Sequence, residues 1–331
     1  MVTMQDVANC AGVSKATVSR VLNGKDLVRA DLKARVEKAI EQTGYRPNLL
    51  AQQMAMQKTS FIGFAMSSEL YDGPYFASMM SGAATFINQH NHQLIFADSK
   101  FSANQEREAI DFLIRMRCAG VVVYPEYLSD QALDEMVESS PVPLYILNRQ
   151  LARNPQNSVW VDHARAAVEM IEYLFRQGHR EIAFISGKTA SRSGACRLAA
   201  WRDGMQRHGI VPDNALLRHG DWSMESGYRA TRELIEQSVA FSAILAANDD
   251  MALGAIKALT EAGIRVPERV SVAGFDNSRI GNYVSPALTT MEIPVVQMVQ
   301  AAIGHILGDT QCENSPLPTR LVVRESVAPL R

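Results

Sequence analysis

The stretch Val13-Ser14-Lys15-Ala16-Thr17-Val18-Ser19-Arg20-Val21-Leu22-Asn23 constrains this chain most, because its apolar and polar positions separate when it is wound as a short helix. Ser14 is predicted to cap the amino end, where its hydroxyl accepts an otherwise unpaired backbone N–H, and Asn23-Gly24 is predicted to end the helix. Val18, Val21 and Leu22 form the apolar side, while Lys15, Ala16, Ser19 and Arg20 share another face, since positions three and four apart lie over one another. Upstream, Thr3 is predicted to cap a first helix with Met4, Val7, Ala8 and Ala11 as its buried stripe, and Gly12 permits the sharp turn between the two. Two helices joined in this way form a helix-turn-helix whose second member suits a DNA major groove.

By periodicity alone, two short amphipathic helices more often mark a corner of an α-helical domain. Charge shifts the balance. Residues 1–60 hold nine lysines and arginines against five acids, a formal charge of +4, whereas the whole chain carries −2 and the remainder therefore −6. A basic head on an acidic body fits a nucleic-acid-binding module joined to something else. A third helix follows, with Leu32, Val36, Ala39 and Ile40 on one side and Gly44 at its end, so that three short helices enclose one small core. The head is placed at residues 1–46.

From Pro47 to about Gln57 the chain has Pro at a first helical turn and apolar Leu49, Leu50, Ala51, Met54 and Met56, too few for a core and too short for a helix that stands alone in water. An ordinary linker is the plain alternative. From Phe61 onward short apolar runs alternate with amphipathic helices. Strands are predicted near 61–66, 94–97, 120–125, 143–148, 181–185, 243–246 and 270–274. Helices are predicted near 75–90, 104–116, 130–139, 163–177, 195–208, 224–237 and 249–262. This alternation predicts an α/β body of two lobes, each a parallel sheet covered on both faces.

In open α/β sheets ligands bind beyond the carboxyl ends of the strands. Read at those ends, the sequence offers Tyr75, Phe76, Asn148, Arg149, Asp162, Arg192, Ser193, Arg197, Trp222, Asn248 and Asp276 as candidate ligand-binding residues. Arginine forks, carboxylates, amides and an aromatic face are the chemistry a polyhydroxylated sugar needs. Each has a duller alternative: Asp249, beside Asn248, is expected to cap a helix, Asp276 to brace a turn, and Trp222 to sit in a core. The Asp162-His163 pair is read as a helix cap in preference to a catalytic pair. Cys196 is read in a loop next to Arg192 and Arg197.

Enzyme readings do poorly, with no G-x-G-x-x-G, P-loop, G-x-S-x-G or H-E-x-x-H motif, and no catalytic residue is assigned. The four cysteines, at 10, 118, 196 and 312, lack metal-ligand spacing, so neither a metal nor any other cofactor is expected. No leader or membrane-length apolar run is visible, which leads to the expectation of a cytoplasmic protein without a membrane partner. The rivals to a DNA-binding regulator are a sugar-binding receptor, against which residues 1–57 argue, and a sugar-converting α/β enzyme.

Met4-Gln5-Asp6-Val7-Ala8, Gly12 through Asn23, and Gly44-Tyr45-Arg46-Pro47-Asn48 together resemble the head of the lactose, galactose and purine repressor (LacI/GalR) family. Leu147-Asn148-Arg149 and Phe241 to Ala252 resemble its galactose-repressor branch, in particular repressors of β-glucoside operons. The resemblance implies a transcriptional repressor that binds palindromic double-stranded operator DNA as a homodimer. It implies DNA contacts from Thr3, Ser14, Lys15, Ala16, Thr17, Ser19, Arg20, Asn23, Tyr45 and Asn48, with Met54 as the minor-groove wedge where most of the family has leucine. Residues 47–58 would be a hinge helix, and 59–331 an effector-binding and dimerisation body like the type I periplasmic binding proteins. Lobe 1 would hold about 59–160 and 291–318, and lobe 2 about 161–290 and 319–331, with crossings near Val159–Asp162, Leu288–Ile293 and Pro318. Arg197, Asp276, Trp222 and Asn248 match the family's effector contacts. Asn248 departs from the purine branch, and Tyr75-Phe76 is not read as a nucleobase stack. The implied effector is a β-glucoside such as cellobiose or salicin, with galactose behind it. Family tetramers carry a further C-terminal heptad helix, and a chain ending at Pro329-Leu330-Arg331 is expected to be a dimer.

Overall fold

The computed structural model describes residues 2–22, 28–46, 60–70, 73–188, 191–309 and 315–330. Asn23, Asn48, Met54 and the rest of the expected hinge lie outside the described residues. The chain divides into two compact units, Met1–Ser60 and Phe61–Arg331.

In the first unit α1 (Met4–Ala11), α2 (Lys15–Leu22) and α3 (Ala30–Thr43) follow one another. Thr3 and Asp6 form a reciprocal capping box: the Thr3 backbone N–H donates to Asp6 Oδ2 at 2.8 Å, and the Asp6 N–H donates to Thr3 Oγ1 at 3.4 Å. Gly12 takes a left-handed φ of 63° in the turn, and Arg35 from α3 donates to the Ala11 carbonyl at 2.6 Å, fastening the turn to the third helix. Val7, Ala8, Ala11, Val18, Val36 and Ala39 are the buried core, with Met4, Val13, Val21, Leu22, Ile40 and Tyr45 packed on it.

The second unit contains two sheets. One runs β2 (Gln93–Asp98), β1 (Phe61–Met66), β3 (Gly120–Tyr124), β4 (Leu144–Leu147), β5 (Ser158–Val159), all parallel. Ile62, Phe64 and Met66 face a core shared with α4 (Gly73–Gln89) and α11 (Val295–Leu307). Ala65, Val121 and Val123 face a separate core with α5 (Ala103–Arg115) and α6 (Asp130–Ser139). Burial of alternating residues on both faces is what a parallel sheet covered by helices demands.

The other sheet runs β11 (Arg320–Val322), β10 (Thr289–Glu292), β9 (Ser271–Phe275), β8 (Ala243–Ala246), β6 (Ile182–Ser186), β7 (Leu217–His219), with only β11 antiparallel. Its helices are α7 (His163–Arg176), α8 (Arg192–Arg207), α9 (Met224–Glu236) and α10 (Asp249–Glu261). One buried cluster continues from the first sheet into the second through Val159, Val161, Ile293 and Val295.

The fold is thus the mixed α/β architecture with parallel sheets and a helix-turn-helix head that the sequence predicts. Two details differ. Residues from Leu288, read as a crossing, include β10, because Thr289 and Thr290 are buried between β9 and β11; their polar hydroxyls disguise a strand. The segment around Arg192 and Cys196 is no loop: α8 begins at Arg192, since Ser191 caps it by accepting from the Gly194 N–H at 3.1 Å. No described helix is long and apolar enough to cross a membrane.

Candidate functional sites

On the head, Ser14, Lys15, Ala16 and Arg20 are exposed along α2, while Thr17 and Ser19 are half-buried. Ser14 caps the helix through the Thr17 N–H at 3.2 Å and lies 2.9 Å from the Thr17 hydroxyl. Thr3 is committed to its capping box, and Tyr45 packs on the small core. A rigid helix is therefore presented with one basic, small-residue face outward, the shape and charge that groove reading requires.

In the second unit the carboxyl ends of both sheets converge on one polar cleft. Tyr124 closes β3, Asn148 follows β4, Ala247 and Asn248 follow β8, and Asp276 follows β9. Three of the wall residues hold left-handed backbone: Asn148 at φ 59°, Trp222 at φ 79° and Asp276 at φ 105°. Asparagine and aspartate adopt positive φ more readily than other side chains; for the bulky tryptophan it costs free energy, a pattern found at functional sites.

Arg197 lies at the centre, 3% exposed. Its Nη1 donates to the Ala247 carbonyl, and Nη2 lies 3.6 Å from Asp276 Oδ1 and 3.5 Å from His163 Nδ1. The guanidinium sits 4.5 Å from the Phe275 ring centre and 6.0 Å from that of Trp222. Its Nε, also buried, has no hydrogen-bond partner among the described residues. Burial pushes the Asp276 carboxyl up to about 7; Arg197 pulls it down and Asp250 pushes it further up. Opposite, Tyr75 and Tyr124 meet edge to face with their hydroxyls 3.4 Å apart, and Asn148 Nδ2 donates to the Tyr124 hydroxyl at 2.8 Å. His163 Nε2 lies 2.6 Å from Asn148 Oδ1. Burial, then the neighbouring Arg197 charge, push the His163 imidazole down to about 3.

The cleft thus gathers Tyr75, Asn148, Arg197, Trp222 and Asp276 from the sequence-derived set. Asn248 stands behind it, with Oδ1 accepting the Met251 N–H at 2.9 Å and Nδ2 donating to the Trp222 carbonyl at 2.8 Å. Asn248, not Asp249, is therefore the cap of α10. Asp249 instead braces the strand ends, accepting the Ser278 N–H at 2.7 Å and the Thr290 hydroxyl at 2.6 Å.

The others lie elsewhere. Phe76 packs edge-on against Phe96 of β2, and Asp162 caps α7 through the Arg165 N–H at 2.9 Å. Ser193 is half-buried in the first turn of α8. Arg149 is buried beneath the Pro125 and Leu128 carbonyls. Arg149 and Arg192 both approach Asp130, at 3.6 Å and 2.5 Å. The Arg192–Asp130 pair joins the lobes, as does Lys188–Glu69 at 3.1 Å. The sequence reading missed Tyr124, His163 and Phe275. Tyr124 ends a strand whose terminus was passed over, and His163 was legible only as the neighbour of a cap.

The indole of Trp222 lies where a side chain on Gly187 would be, 2.2 Å from an added Cβ. Gly187→Ala is expected to displace the ring and destabilise the protein by about 1–3 kcal/mol, read as a lowered Tm with changed tryptophan emission. Unaltered emission and stability would mean that the indole is not packed on Gly187.

A helix-turn-helix head in one unit and a two-lobed parallel α/β body with a polar cleft in the other define a DNA-binding regulator that carries a small-molecule site. The known proteins agree. Residues 3–48 match the lacI family of bacterial regulatory proteins, and residues 171–327 match a periplasmic binding protein-like domain. The HTH-type transcriptional regulator AscG of Escherichia coli (strain K12) is 43% identical over 307 residues, 93% of this chain and 91% of its own. The crystal structure of the lac repressor dimer bound to operator and the anti-inducer ONPF is similar at a TM-score of 0.85 and 31% identity, with 99% of each chain covered. The transcriptional regulator CelR–cellobiose complex is similar at a TM-score of 0.67 and 29% identity, covering 98% of this chain and 100% of that one. This chain belongs to the LacI family of bacterial regulatory proteins. It is a helix-turn-helix transcriptional regulator and not an enzyme.

Proposed function

We propose that the protein is a cytoplasmic homodimeric repressor that binds a palindromic operator and changes its operator affinity when a small sugar, a β-glucoside in the first place, enters the cleft. The observation that carries the sugar reading is the buried Arg197 fork beside Asp276 and Trp222, with an Nε–H that has no partner among the described residues. A buried unpaired donor on a cation is costly, and a ligand hydroxyl supplies the missing partner. Asp276 accepts from a neighbouring hydroxyl, and the indole covers the C–H face of a pyranose. Cellobiose in the similar CelR complex favours a β-glucoside over galactose. The proposed division is a head at 1–46, a hinge at 47–58 that includes the wedge Met54, and a body at 59–331 with the lobe limits given above.

The DNA side is tested at Arg20, exposed on α2. Arginine bridges guanine O6 and N7, so Arg20→Ala is expected to weaken operator binding by about 1–3 kcal/mol while leaving nonspecific binding nearly intact. Gel-shift competition checks this, and equal losses on operator and random DNA would reduce Arg20 to a phosphate contact.

The cleft makes a pH prediction as well. Asp276 has its carboxyl raised to about 7, so its proton is held more firmly in the folded protein and the accepting carboxylate prevails only above that pH. Effector affinity is therefore expected to rise about tenfold from pH 6 to pH 8. His163, pushed down to about 3, stays neutral throughout and adds nothing to this slope. Calorimetry across the range checks it; Asp276→Asn should flatten the profile, and a parent profile that is already flat would remove Asp276 from the site.

A further inference from the structure

We infer that His163 is a positioning residue of the effector cleft, one that sets the direction of a hydrogen-bond chain running from Arg197 in one lobe to Tyr75 in the other and so decides whether Tyr124 donates onward to Tyr75 and the ligand or back to Asn148. The inference rests on the sugar-site reading and deepens it.

The chain is built from four contacts. Arg197 Nη2 lies 3.5 Å from His163 Nδ1, and His163 Nε2 lies 2.6 Å from Asn148 Oδ1. Asn148 Nδ2 lies 2.8 Å from the Tyr124 hydroxyl, itself 3.4 Å from that of Tyr75. A guanidinium has donors only, so the nitrogen facing it must offer a lone pair. The ring of His163 is therefore protonated on Nε2 and donates to Asn148 Oδ1, which turns the Asn148 amide so that its Nδ2–H donates to Tyr124. The Tyr124 oxygen is then an acceptor within the chain, and its own hydrogen points onward, to Tyr75 or to a ligand.

The opposite arrangement reverses every step. An imidazole with its proton on Nδ1 would oppose the Arg197 donor and accept at Nε2. Asn148 would flip to donate to the ring and take the Tyr124 hydrogen at Oδ1, and Tyr124 would no longer donate onward. With the chain as drawn, the Tyr124 hydrogen goes to Tyr75 or to the ligand, the Tyr75 hydrogen is left for the ligand in the first case, and the opposite wall supplies the acceptor, Asp276. The ligand group that suits Tyr75 and Tyr124 is an oxygen acceptor, a sugar hydroxyl or ring oxygen, and not an ammonium. A histidine at the boundary of a crossing and a helix thus gives the cleft its polarity.

Two measurements on the full-length protein decide the matter. In the first, ring-nitrogen NMR of histidine-labelled, ligand-free protein at pH 7, with the His163 signals assigned by their loss in His163→Gln, is expected to show Nε2 protonated and Nδ1 bare. The Nδ1–H form or a doubly protonated ring would overturn the inference whatever the ligand proves to be. In the second, cellobiose, salicin and galactose are titrated calorimetrically and the tightest is carried to the variants. His163→Gln, whose amide reproduces the donor to Asn148, is expected to stay within about threefold of the parent, whereas His163→Leu loses about tenfold to hundredfold. Equal losses in both variants, or none in His163→Leu, would contradict the positioning role. Failure of all three sugars to bind the parent would count against the sugar reading, and the NMR result would still stand for or against His163.

Discussion

Arg197→Ala is expected to yield a repressor that holds its operator and no longer answers to the effector. The guanidinium is the hub of the cleft: it is braced on the Ala247 carbonyl, faces Asp276 at 3.6 Å and lies over Phe275 at 4.5 Å. Removing it deletes the donor fork and the positive charge that pulls the Asp276 carboxyl down, so the buried acid takes up a proton more readily and the acceptor is lost with the donor. Charge-assisted hydrogen bonds of this kind contribute about 1.5–3 kcal/mol each, so the loss of effector affinity should reach about a hundredfold or more. The helix proposed to read DNA, α2, belongs to the other compact unit, and operator affinity without effector should remain. Calorimetry with the effector and gel shifts with and without it check both halves. Continued response to effector in Arg197→Ala would remove the arginine from the site.

The second large effect is expected from Tyr283→Asp. Tyr283 is 77% exposed, and Ile280 in the same short turn and Met224 at the start of α9 are exposed as well. Aromatic residues are enriched where subunits meet, so a tyrosine this exposed suits the contact of a homodimer. A charge placed there should leave the folded monomer intact and abolish dimerisation. Two heads joined in one dimer bind two half-sites with an avidity about a hundredfold to ten-thousandfold above a single head, and that factor should disappear. Sedimentation measures the assembly and a gel shift the affinity; a Tyr283→Asp protein that remains dimeric would put the interface elsewhere.

The head was readable because its information is local. The spacing of Val7, Ala8, Ala11 and Val18, the capping Thr3 and Ser14, and the turn at Gly12 all act within a few residues of chain, and the resulting helices carry them as read. Strands made of apolar runs were readable for the same reason, even β4 and β8 with four residues each, whereas β5, β7 and β11 span only two or three residues and β10 reads Thr-Thr-Met-Glu, which gives an apolar pattern little to count. Adjacent Asn248 and Asp249 both have capping chemistry. Only the approach of Ser278 and Thr290, from 29 and 41 residues further on, commits Asp249 elsewhere. Arg149, Arg192 and Phe76 sit at strand ends or helix starts like true cleft residues, and what turns them aside is Asp130 or Phe96, distant in sequence. His163 lay hidden because a buried neutral imidazole is recognised by its neighbours, and no spacing announces Asn148 and Arg197 on either side of it.

A sugar-responsive repressor requires one coupling, between an occupied cleft and a helix on DNA. The direct measurement is the affinity of the full-length protein for a palindromic operator, by fluorescence anisotropy at fixed salt, with and without saturating cellobiose or salicin. The expected result is a change of about 5- to 150-fold in operator affinity, with the reciprocal change in sugar affinity when operator is present. Equal operator affinity in the presence and absence of a sugar shown by calorimetry to be bound would contradict it.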